Sequence, residues 1–110
     1  MASQRSTADD REPLVLAPCP SSPNCVSSLA EDSIHRVEPF QIEGDAGAAW
    51  RALRDAIAAL PRARVVLERP RYLKAECTSR LFRFVDDLEV SLDAAGGRID
   101  LRSASRTGWG

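Results

Sequence analysis

Residues 45–78, DAGAAWRALRDAIAALPRARVVLERPRYLKAECT, decide the fold, because the apolar period changes once within them. Trp50, Leu53, Ile57 and Leu60 recur at three- and four-residue steps. Ala49 and Ala56 extend the stripe, and Arg51, Arg54 and Asp55 lie off it. This is the pattern of an amphipathic helix of about four turns. Asp45 is placed to cap its start, and Pro61 ends it. A membrane-surface helix would carry the same stripe, but the short polar side of mixed charge favours a core-facing helix. Beyond Pro61 the period falls to two. Residues 63–68 form a compact Val/Leu strand, and Arg69-Pro70 marks a turn or bend. Residues 72–78 then alternate, with Leu73, Ala75 and Cys77 facing one way and Tyr72, Lys74, Glu76 and Thr78 the other.

Working outward, residues 81–92 read as a further extended stretch. Phe84, Leu88, Val90 and Leu92 share one parity, interrupted by Asp86. Ala94-Ala95-Gly96-Gly97 is a turn at hairpin spacing. Residues 98–103 return with Ile99 and Leu101 inward and Arg98, Asp100 and Arg102 outward. Upstream, residues 35–42 alternate loosely, and Pro39 restricts them to a sheet edge. One helix followed by four extended segments with short connections predicts an α+β fold. The expected architecture is a twisted antiparallel β-sheet with one amphipathic helix packed on a face.

The chain has 110 residues, which permits one domain. Residues 1–16 are expected to form a flexible N-terminal tail and 17–110 a single domain, with the apolar run 14–16 available to dock on it. The formal charge of −1 conceals an asymmetry. Residues 1–45 hold three basic and eight acidic residues, and residues 46–110 hold twelve basic and eight acidic. The overall balance argues against a basic nucleic-acid binder, and no aromatic-interleaved module signature accompanies the basic stretch 62–83. No apolar run is long enough to span a membrane.

Residues 17–28, APCPSSPNCVSS, read as an ordered loop or a linker whose prolines limit its freedom. One disulfide is open to the chain, between Cys19 and Cys25. The start of the chain carries no signal segment, which points to a cytoplasmic protein with reduced thiols.

Three segments carry a family resemblance. They are Cys19-Pro20-Ser21-Ser22-Pro23-Asn24-Cys25-Val26-Ser27-Ser28, the run from Tyr72 through Cys77, Arg80, Phe82 and Asp86-Asp87 to Glu89, and the stretch from Arg102 to Gly110. Together they resemble the uncharacterised DUF1499 family of bacterial and plastid proteins, over roughly residues 17–110. The resemblance implies no known catalytic mechanism, substrate or cofactor. Some members look exported or membrane-associated, and plant members look like chloroplast lumen proteins. Members usually continue past the glycine-aromatic step into a helical segment. Here Trp109 is followed by Gly110, so the resemblance implies a domain short of its last motif.

The candidate ligand-binding residues are Arg80, Asp86, Asp87, Arg102, Ser103, Ser105 and Arg106, and the candidate loop residues are Cys19, Asn24, Cys25 and His35. Asp86 falls on an apolar parity, where a carboxylate is costly unless a cation receives it. Arg102 or Arg106 is the expected partner, in a register-fixing salt bridge or in a polar cleft. No G-x-S-x-G elbow exists for Ser103 or Ser105. Cys19, Cys25 and His35 lack a fourth metal ligand, so no metal is assigned. Neither a phosphate loop nor a dinucleotide fingerprint is present, and no cofactor is expected.

Two functions remain open. One is a non-enzymatic binding or assembly module with a protein partner, using the Arg/Asp motif and the cysteine loop. The other is an enzyme, or a protein for a small anionic ligand or lipid, with a cleft around Asp86, Asp87, Arg102 and Arg106.

Overall fold

The structure is a computed structural model that describes residues 16–21, 24–79 and 84–106. Its elements run β1 (Cys25–Ser27), β2 (Phe40–Gln41), α1 (Ala46–Ala59), β3 (Ala63–Arg69), β4 (Tyr72–Thr78), β5 (Val85–Asp93) and β6 (Arg98–Ser105). The strands form one antiparallel sheet in the order β1-β6-β5-β4-β3, with β2 also pairing β6. Sequential strands joined by short turns become neighbours, which gives the meander from β3 to β6.

Helix α1 begins where Asp45 accepts a 2.8 Å hydrogen bond from the Ala48 amide. It ends before Pro61, with the Leu60 amide donating to the Ile57 carbonyl. Trp50 and Ile57 bury its apolar stripe against Leu73, Ala75, Val90, Leu92 and Ile99. The sheet therefore has a helix-covered face and an opposite face. The register places residues 73, 75, 88, 90, 92, 99 and 101 on the first, and 72, 74, 76, 87, 89, 91, 100 and 102 on the second.

Two turns keep the strands in register. Pro70 and Arg71 join β3 to β4. Ala94–Gly97 joins β5 to β6, with Gly97 at φ 67° and the Gly96 amide donating to Asp93 Oδ1.

The sequence reading of β3 needs one correction. The register shifts between Val65 and Leu67, so Val66 is an extra residue and the strand changes faces in mid-course. Glu68 is thereby turned toward the helix, where Arg54 donates to it at 3.3 Å. The Val-Val-Leu run has no alternation to reveal the bulge. The residues read as an edge strand at 35–42 pair over only Phe40–Gln41, against Ile99 and Arg98. Arg36 separately bridges Ser27 in parallel.

Candidate functional site

The helix-free face carries a lattice of ion pairs across four strands. Arg106 holds both Asp87 carboxylate oxygens, at 3.0 and 2.9 Å, and reaches Glu76 at 2.6 Å. Arg64 donates to the other Glu76 oxygen at 3.1 Å. These hydrogen bonds hold the Asp87 and Glu76 carboxyls below their ordinary range and raise the already high Arg106 value. Arg102 pairs with Glu89 at 3.2 Å, both largely buried, and Glu89 also accepts 2.6 Å from the Tyr72 hydroxyl. Ser28 Oγ donates to Asp100 at 2.8 Å, and Arg98 Nε donates to the second Asp100 oxygen at 3.2 Å.

The candidate residues thus divide between two faces. Asp87, Arg102 and Arg106 share the helix-free face. Asp86, Ser103 and Ser105 lie on the other, where Cys77, Asp86 and Ser105 form one row across β4, β5 and β6. The expected receipt of Asp86 by Arg102 or Arg106 is not what the structure forms. Adjacent residues of a pleated strand point to opposite faces, so the arginines meet Asp87, Glu89 and Glu76 instead. Burial, and then the Asp86 charge, push the Cys77 thiol up from its ordinary value, which opposes thiolate formation. Arg80 lies outside the described residues.

The cysteine loop is a separate centre. Cys19 and Cys25 are joined in a disulfide, so the expectation of reduced thiols does not hold for this pair. The ring is short, and the pairing of β1 with β6 fixes one end of it: Cys25 sits opposite Ala104 and is 2% exposed. The Asn24 side chain donates to the Ser105 carbonyl at 2.9 Å, which anchors the strand entry. Arg102 reaches over to the Pro18 carbonyl at 3.5 Å, and Leu16 is buried beneath the segment. His35 Nδ1 and its amide both contact Asp32 Oδ2, at 2.7 and 3.0 Å, which closes the turn after β1. Those contacts hold the Asp32 carboxyl below its ordinary range.

Between this loop and that turn opens a cleft of about 360 Å³. Leu16, Pro18, Cys19, Ser27, Leu29 and Ala30 line it, and Glu31 and Asp32 bring two carboxylates to the same lining. His35 is not among the lining residues. Sequence reasoning flagged Cys19 and His35 but missed Leu16, Leu29, Glu31 and Asp32, because a cleft between two non-regular segments has no periodic signature. It also missed Glu76 and Glu89 as ion-pair partners and Tyr72 as a hydrogen-bond donor to Glu89. Their shared parity with Asp87 was available as a signal.

An α+β protein with one ion-paired sheet face and a disulfide-walled cleft is the class these features define. The chain belongs to the family described as Protein of unknown function (DUF1499), whose model matches residues 15–110. No curated protein and no solved structure matches the chain.

Proposed function

We propose that the protein is a non-enzymatic binding module whose contact surface is the cleft beside the cysteine loop, and that its ligand joins an apolar group to a cation. The lining of that cleft carries the reading: an apolar wall of Leu16, Pro18, Leu29 and Ala30 beside the carboxylates of Glu31 and Asp32. Such a mixture favours a lysine- or arginine-bearing peptide segment over an anion. The arginines of the sheet are poorer candidates for anion capture, because Arg102 and Arg106 already hold Glu89, Asp87 and Glu76. The alternative polar cleft of Asp86, Asp87, Arg102 and Arg106 is weakened by the opposite facing of Asp86. The disulfide supports an oxidising compartment in place of the cytoplasm. No helix among the described residues is long and apolar enough to cross a membrane.

The test is amide shift mapping on the isotope-labelled chain. The probes are acetyl-Leu-Lys-amide, acetyl-Leu-Glu-amide and phosphatidylglycerol vesicles. The lysine peptide is expected to move the Ser27, Leu29 and Ala30 signals, and Glu31→Lys should weaken it at least about threefold. Preferential binding of the glutamate peptide or the vesicles, with shifts centred on β5 and β6, overturns the reading. So does silence of the cleft signals at millimolar lysine peptide.

A further inference from the structure

The Cys19–Cys25 bridge is placed unlike a purely structural disulfide. One sulfur belongs to a strand residue that is 2% exposed and held opposite Ala104; the other belongs to a partly buried loop residue that lines the cleft. Access to the bond is therefore one-sided. Cys19 is the half of the bridge that lines the cleft, and Cys25 is the half buried in β1. Arg102 touches the backbone next to the bridge, where its guanidinium donates to the carbonyl of Pro18, the neighbour of Cys19. It also projects from the same sheet face as Cys25, one alternation along β6 from Ala104. Its Nε is buried and makes no hydrogen bond among the described residues. The Arg102 charge is already met by Glu89, so one-sided access, and not a nearby cation, favours exchange at Cys19.

We infer that Cys19–Cys25 is an exchangeable disulfide, opened from the cleft by a dithiol reductant, with Cys19 the sulfur attacked and Cys25 the leaving group. In the first step the reductant thiolate attacks Cys19 Sγ. A mixed disulfide forms, the Cys19–Cys25 bond breaks, and the electron pair leaves on Cys25 Sγ. In the second step the other thiolate of the reductant attacks its own sulfur in the mixed disulfide and releases Cys19. The reductant departs as a cyclic disulfide, oxidised by two electrons. The chain is reduced by two, and the two protons of the dithiol end on Cys19 and Cys25.

The consequence for the cleft rests on the binding reading proposed above. With the bridge open, the segment 16–20 keeps the burial of Leu16 and the Arg102–Pro18 hydrogen bond as anchors. The reduced chain is then expected to lose one wall of the cleft, so reduction would release the ligand.

The experiment uses the full chain in a Cys77→Ala background, which removes the remaining thiol of the described residues. The folded protein is treated with millimolar dithiothreitol without denaturant, quenched with an alkylating agent and weighed by intact mass. Reduction within minutes is expected. A bridge that survives for hours in the folded chain, yet is reduced promptly in urea, overturns the inference. The attacked sulfur is identified by treating the folded, oxidised Cys77→Ala chain with glutathione and mapping by peptide mass which cysteine carries the mixed disulfide. Mixed-disulfide formation at Cys19 is expected to be at least about tenfold faster than at Cys25. Equal rates, or a faster Cys25, overturn the assignment. Neither assay needs a ligand, so a bridge that exchanges in a chain that binds no peptide supports this inference while the binding reading fails.

Discussion

Tyr72 is the one tyrosine of the chain, and it joins the core of the sheet to its charged face. Its ring is buried, and its hydroxyl donates to Glu89, which Arg102 also holds. Burial raises the phenol above its ordinary value, and the hydrogen bond to Glu89 adds to the shift. Because the folded value lies above the unfolded one, the stabilisation is fully present below about pH 10, the unfolded value. It is lost as pH rises toward the folded value. Absorbance near the phenolate band reads this residue alone. The expected outcome is no ionisation of the folded chain through pH 10, then ionisation together with unfolding. Tyr72→Phe should flatten the alkaline fall in Tm relative to the parent. A simple titration near pH 10 with the fold intact would show that the hydroxyl is not held as described.

Among the elements, α1 was the most legible. Its stripe, its cap residue and its stop are local, so periodicity and one proline sufficed to place it at Ala46–Ala59. The β5–β6 turn was legible for the same reason, since Gly96-Gly97 supplies the left-handed φ that the turn uses. The β3 bulge was not, and neither was Arg62, which takes φ 60° in the turn before β3. Both are imposed by the pairing of β3 with β4 and by the helix above them, and no local residue pattern encodes that. The bulge has a use: β3 is an edge of the sheet, and an extra residue at Val66 spoils the flat ladder on which another chain could pair. The cap bond at Asp45 can be measured directly. Asp45→Ala removes the acceptor of the Ala48 amide and should cost about 1 kcal/mol in denaturant unfolding, with Asp45→Asn retaining most of it. Equal losses for both variants would mean that charge, and not the cap bond, supports the helix start.

At the scale of the molecule, the candidate site was legible as residue types but not as a place. The sequence offered Asp86, Asp87, Arg102 and Arg106 as one cluster, because they are polar and close in number or in expected pairing. A strand sorts neighbours to opposite faces, so the cluster separates, and the arginines close on carboxylates from two strands, β4 and β5. That closure links β3, β4, β5 and β6 on the face that the helix leaves bare. The cysteine loop does the corresponding task for the segment before β1. It ties residues that precede the sheet to a three-residue strand with little pairing of its own.

The contribution of the tie follows from its ring size. A six-residue separation restricts the unfolded chain modestly, and loop-closure entropy puts the stabilisation at about 2 kcal/mol. The double substitution Cys19→Ser, Cys25→Ser should therefore lower stability by about that amount while the far-ultraviolet spectrum keeps its sheet signal. The ion-pair lattice and the core around Leu73 and Val90 do not include either cysteine. If the double variant instead loses the sheet signal altogether, the loop is a condition of folding, and the separation between cleft wall and sheet argued above fails.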